Sequence, residues 1–195
     1  MNVRLSFLPI NTRIYGVIIG NMNANDKFKG KYRVPSARWA NWNYSNNAAY
    51  FITVCTHERI PFFGEITDNQ NNLTIIGQAV SDCWYSIPEH FPFVLLDEFV
   101  IMPNHIHGIL IINKSTPYEV SGNRFGSQSQ NLASIVRGFK IGVTKFAHQH
   151  NLGFGWQPRY HDRIIRTTEE HDRIRQYIRD NPRMWRDDPL YKSTP

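Results

Sequence analysis

Two histidines one residue apart, His105 and His107, stand at the head of the apolar run Ile109-Leu110-Ile111-Ile112. On a β-strand, alternation puts both imidazoles on one face and Ile106 on the other, which makes a two-ligand metal site. Near the C-terminus Ile174, Tyr177, Ile178 and Asn181 recur at helical spacing and share one face. Two imidazoles and an amide oxygen can hold a divalent cation with positions left open for phosphate oxygens. This mixed nitrogen and oxygen set suits Mg²⁺ or Mn²⁺ and does not resemble a closed structural zinc site. Tyr177 then reads as a nucleophile. A phenol, with a pKa of about 10, attacks only once its proton is lost or its anion stabilised, and a nearby cation does the latter. Tyr160, beside His161, competes for that role, but only Tyr177 shares a helical face with an amide ligand. His57, in Thr56-His57-Glu58-Arg59, reads as a solvated strand end or a nucleic-acid contact and not as a catalytic group.

The elements that must position these groups follow from periodicity. Ala49 to Thr56 is aromatic and β-branched, hence a buried strand. Leu73 to Glu89 carries Ile76, Val80, Trp84 and Ile87 at helical spacing, with Pro88 and Pro92 marking its end. Phe93 to Met102 and His105 to Asn113 form a hairpin around a Pro103-Asn104 turn. After a Ser-, Gly-, Gln- and Asn-rich loop over 114–131, Leu132 to Gln149 places Ile135, Val136, Phe139, Val143 and Phe146 on one helical stripe. Tyr160 to Ile165 returns to strand character. The order is βαββαβ, an α+β ferredoxin-like fold with an antiparallel sheet. One helix is left over, opened by a capping box at Thr167 and Glu170 and stopped by Pro182. The His strand is apolar on both faces, with Ile109 and Ile111 beside the histidines. The extra helix is the available cover for that second face, which would set Tyr177 and Asn181 over the pair.

A chain of 195 residues with 41% hydrophobic content suits one main core. Residues 1–43 read as a basic, poorly ordered arm, 44–186 as the catalytic domain and 187–195 as a tail; Met22 is an alternative start to Met1. Cys55 and Cys83 are far apart and in no redox or metal spacing, which fits a reducing, cytoplasmic setting. No segment reads as a signal peptide or membrane span. The net charge of +6 is unevenly spread: seven Lys/Arg against one acid in residues 1–40, three against eight in 41–130, and eleven against five in 131–186. Two basic blocks around an acidic middle point to a polyanion. Arg137, Lys140, Lys145, Arg159, His161, Arg163 and Arg166, interleaved with Phe139, Trp156 and Tyr160, suit single-stranded nucleic acid, whose bases stack on aromatic rings while cations follow the phosphates.

Three segments carry a family resemblance: Met102-Pro103-Asn104-His105-Ile106-His107-Gly108, Trp156-Gln157-Pro158-Arg159-Tyr160-His161-Asp162, and Tyr177-Ile178-Arg179-Asp180-Asn181-Pro182. Together, over about residues 44–186, they resemble the single-tyrosine transposases of the HUH endonuclease superfamily, and most closely the branch associated with repetitive extragenic palindromes. The resemblance implies a nuclease acting on single-stranded DNA folded into hairpins or palindromic repeats, as a monomer or homodimer. It implies that Tyr177 cleaves one strand, keeps the 5′ phosphate as phosphotyrosine and frees a 3′ hydroxyl that can reverse the step. His105 and His107 match the family's metal pair, and Asn181 its more variable third ligand. Two other readings use the same residues: a hairpin-binding regulator without turnover, and a hydrolase using metal-bound water on small phosphoesters.

Overall fold

The computed structural model describes residues 42–115 and 130–191, together with the backbone of two short paired strands, Lys27–Phe28 and Lys31–Tyr32. Most of the expected N-terminal arm and of the 114–131 loop, and residues 192–195, lie outside the described residues. The main sheet contains β1 (Ala48–Cys55), β4 (Val94–Met102), β5 (His105–Ile112) and β6 (His161–Ile165), in the order β4-β5-β1-β6 with every neighbouring pair antiparallel. This is the ferredoxin-like βαββαβ topology that the sequence predicts.

Alternation along β1 and β5 separates two faces. Tyr50, Ile52, Val54, Ile106, Leu110 and Ile112 point into the main core, against Ile76, Val80 and Trp84 of α1 (Ile75–Tyr85) and Ile135, Phe139 and Val143 of α3 (Leu132–Gln149). The expected single helix over 73–89 is interrupted at Ser86 and resumes as the one-turn α2 (Ile87–His90), with Pro88 in its first turn. A hairpin absent from the sequence reading, β2 (Gly64–Thr67) with β3 (Gln70–Leu73), turns on Asp68 and Asn69, both at positive φ as a two-residue primed turn requires.

Gly108 has a definite packing reason. The Trp84 ring, stacked on Phe99 at 4.2 Å between centroids, lies directly over it, and a Cβ there would overlap the indole. Gly108→Val should therefore cost at least about 3 kcal/mol, the upper range for overpacking, measured by urea unfolding. A loss under about 1 kcal/mol would mean that Trp84 has room to move aside.

The remaining helix, α4 (Thr168–Asp180), packs on β4 and β5 at the other face of the sheet. Its apolar contribution is small, Ile174 and Ile178 being its buried apolar residues. Polar contacts add to it: a β-bulge between Leu96 and Phe99 interrupts the register of β4, and the two residues within it, Asp97 and Glu98, hydrogen-bond His171 at 2.6 Å and pair with Arg175 at 3.0 Å and Arg179 at 2.7 Å. The cap is one-sided rather than a box. Thr167 Oγ1 accepts from the Glu170 amide at 3.2 Å, whereas the Glu170 carboxylate accepts from Arg166 N at 3.0 Å and pairs with Arg163 at 2.5 Å. The reciprocal capping box belongs to α3, between Asn131 and Ser134.

Candidate active site

The second face of the sheet presents Phe51, Thr53 and Cys55 from β1, His105, His107 and Ile109 from β5, and His161 and Arg163 from β6. Both β5 histidines are fully buried. Their Nε2 atoms face each other at 3.1 Å, and Tyr177 Oη of α4 lies 3.3 Å from His107 Nε2. Phe51 stacks on His107 at 5.3 Å and meets Tyr177 edge-on at 6.1 Å, fixing both rings. The predicted cover is thus in place, and it brings the phenol of Tyr177 to the histidine pair. Tyr160 does not reach it: it precedes His161 on β6, points to the opposite face, and lies with Lys140 and Trp156 beside α3.

The outer ring nitrogens are held as well. Asn104 Oδ1 lies 2.8 Å from His105 Nδ1, and Thr53 Oγ1 lies 2.8 Å from His107 Nδ1. Burial pushes His107 down to about 3, and burial together with His107 and Arg59 holds His105 well below the ordinary histidine value. Both are neutral at physiological pH and offer a lone pair, as metal ligands must. Cys55, opposite His105 on β1, is pushed by burial up to about 11 and stays a neutral thiol.

A carboxylate that sequence reasoning did not nominate completes the group. His105, His107 and Asp188 each offer a ligand atom within 4.8 Å of the others, and all three are buried. Asp188 follows a short 3₁₀ turn, Trp185–Asp187, with Trp185 against His105 at 5.9 Å between ring centroids. Its Oδ1 accepts from Leu190 N at 2.6 Å and its Oδ2 from Asn181 Nδ2 at 3.3 Å. Burial still raises its pKa. Asn181, predicted as a ligand, thereby orients Asp188, while its own Oδ1 is buried with no hydrogen-bond partner. An orphaned amide oxygen beside a buried carboxylate and two facing imidazoles is a donor set that fits a divalent cation.

The seven residues nominated for DNA contact do not form one surface. His161 and Arg163 lie on the histidine face, where Arg163 is paired with Glu170. Lys140 is a half-buried strut, donating to Gln157 O at 2.9 Å and Arg159 O at 3.2 Å beneath the Trp156 ring. Arg159 and Arg166 are exposed on the segments flanking β6. Arg137 and Lys145 are exposed on α3, on the far side of the sheet, where they border a groove of about 770 Å³ with Ile141, Trp156 and Tyr160 in its wall. No helix among the described residues is long and apolar enough to cross a membrane.

No family model matches the chain. An uncharacterized protein of Haemophilus influenzae is 39% identical over 165 residues, spanning 80% of this chain and 92% of that protein. Among solved structures, a REP-associated tyrosine transposase bound to a REP hairpin superposes with a TM-score of 0.53 at 20% identity, over 76% of this chain and 74% of that one. The chain therefore belongs to one family with the Haemophilus influenzae protein, and its fold is that of the REP-associated tyrosine transposase.

Proposed function

We propose that this protein is a cytoplasmic, cation-dependent single-strand DNA endonuclease and strand transferase of the single-tyrosine HUH type, acting on hairpin-bearing DNA. The observation that carries the reading is the Tyr177 hydroxyl at 3.3 Å from His107 Nε2, itself 3.1 Å from His105 Nε2 and grouped with the buried Asp188. His105, His107 and Asp188 would hold Mg²⁺ or Mn²⁺, with Asn181 Oδ1 as a further oxygen donor. Such a cation polarises the scissile phosphodiester and offsets the charge that builds on it.

The chain's own residues supply the rest. Phe51 and the α4 backbone aim the phenol, so the reacting group is oriented before DNA arrives. Tyr177 Oη loses its proton to water and attacks phosphorus; the bond from phenol oxygen to phosphorus forms as the phosphorus–O3′ bond breaks. The 3′ oxygen takes up a proton and leaves as a hydroxyl. A 3′ hydroxyl attacking the phosphotyrosine reverses the sequence and joins strands without another energy source. The solved neighbour was bound to a REP hairpin, which supports a palindromic hairpin as the substrate class here.

Incubation with hairpin-bearing single strands and Mg²⁺ or Mn²⁺ should give a denaturant-stable protein–DNA adduct and a free 3′ hydroxyl. Salt-sensitive binding with no cleavage under either cation would leave only a binding regulator. The α3 groove makes a separate prediction. Substituting Arg137 and Lys145 together by Ala should weaken hairpin binding and flatten the slope of log K against log salt by about one for each cation removed. An unchanged slope would place the DNA elsewhere.

A further inference from the structure

Asn104 is 1% exposed and occupies the turn immediately before His105. Its amide is fully used. Nδ2 donates to Leu190 O at 2.9 Å and to Arg59 O at 3.3 Å, while Oδ1 lies against His105 Nδ1 at 2.8 Å. The two carbonyls around Nδ2 settle the orientation of the amide, since the opposite one would set oxygen against oxygen. An amide oxygen only accepts, so His105 must carry its proton on Nδ1, and its Nε2 is a bare lone pair. The turn itself is tied down, because Asn104 O accepts from Thr56 N at 2.9 Å and Thr56 Oγ1 at 3.0 Å.

His107 is held differently. Its Nδ1 partner is the Thr53 hydroxyl, which can donate or accept. Without a cation, the 3.1 Å contact between the two Nε2 atoms needs one proton between two nitrogens. His105 cannot supply it, so His107 does, with the Tyr177 hydroxyl 3.3 Å away accepting a share of the same proton, and Thr53 then donates to His107 Nδ1. A cation needs both Nε2 lone pairs. The proton on His107 Nε2 must leave and one must return at Nδ1, where Thr53 Oγ1 turns to accept it.

We propose that Asn104 is the positioning residue of the cation site, locking His105 as the Nδ1–H tautomer, and that His107 alone changes tautomer when a cation binds, its hydroxyl partner Thr53 reversing direction. The exchange is neutral: one proton leaves Nε2 and one is taken up at Nδ1. The same amide serves the third ligand, because Leu190, whose carbonyl it holds, donates its N–H to Asp188 at 2.6 Å. One buried side chain therefore sets a donor on β5, His105, and a donor 83 residues later in the chain, Asp188. The inference rests on the reading of His105, His107 and Asp188 as a cation site.

The test is ¹⁵N NMR of the imidazoles in the full chain, without cation and with Mg²⁺, alongside Mn²⁺ affinity by calorimetry. His105 should show Nδ1–H in both states, and His107 should move from Nε2–H to Nδ1–H on adding Mg²⁺. Asn104→Ala should release the His105 tautomer and weaken Mn²⁺ binding about 10- to 100-fold, the usual effect of removing a group that orients a metal ligand. Asn104→Asp keeps an acceptor for His105 and should retain its tautomer, yet bind less tightly for want of the Leu190 anchor. An Nε2–H His105 in the unsubstituted protein, no tautomer change at His107, or an Asn104→Ala protein that binds Mn²⁺ as tightly as before would each overturn the inference alone. The first two need no substitution, so a variant that fails to fold does not shield it. If the unsubstituted protein binds neither ion, the cation-site reading itself falls and takes the inference with it.

Discussion

Replacing Tyr177 with Phe should abolish the covalent protein–DNA adduct while leaving fold and DNA affinity close to those of the parent. The substitution removes one oxygen. The ring that packs edge-on against Phe51 and faces His107 stays, so the buried contacts of α4, centred on Ile174 and Ile178, are untouched. The lost hydroxyl contact to His107 is worth about 0.5 to 1.5 kcal/mol, small against the whole stability of a domain. Chemistry, in contrast, loses its only route to a phosphotyrosine from this position. Tyr160→Phe, on the opposite face of the sheet, should keep full adduct yield. If the adduct persists in Tyr177→Phe and vanishes in Tyr160→Phe, the nucleophile has been misassigned. If strand cleavage continues in Tyr177→Phe without any adduct, water is the nucleophile and the protein is a hydrolase.

Much of this arrangement was legible in the residues because it depends on local period. His105 and His107 declare a shared face by alternation, and Ile109 and Ile111 beside them declare that this face is covered rather than wet. Ile174, Tyr177 and Ile178 declare the face of the helix that covers it. What was not legible depends on tertiary placement. Asp188 sits in Arg186-Asp187-Asp188-Pro189, a composition that reads as a solvated turn, yet it is buried where Trp185 packs against His105 and Leu190 is bonded back to Asn104. The β2–β3 hairpin escaped notice because Gln70-Asn71-Asn72 has no apolar alternation to mark it. The acids of the β4 bulge carry no sequence signal either, since a bulge is defined by its partner strand. The basic residues after Leu132 form one block in sequence but divide between two faces of a sheet, so charge counting points to a polyanion without indicating which face would meet it.

The second large effect is on acid stability. In the unfolded chain His105 and His107 titrate at about 6.5, whereas in the fold His107 is held near 3 and His105 is also held far down by burial. Across the interval between those values the unfolded state binds more protons than the native one, so stability rises with pH there and is lost as pH falls. Above about 7 the contribution is fully present. Below about 6.5 each histidine approaches a limiting slope of about 1.4 kcal/mol per pH unit, and because that slope sets in only gradually the pair should cost roughly 3 to 4 kcal/mol between pH 7 and pH 5. Asp188 works in the opposite sense: its raised pKa means that the native state holds its proton more tightly than the unfolded chain, which offsets part of the loss once pH approaches the carboxylate range. Arg59, which disfavours protonation of His105, adds to the loss. Urea unfolding with chelator present, at pH 7, 6 and 5, should therefore show a falling midpoint with the steepest step between 6 and 5. His107→Gln, which removes one of the two titrations, should roughly halve the slope. A midpoint independent of pH over this range would mean that the imidazoles are not held neutral in a dry site, and the donor pair on which the whole reading depends would not exist.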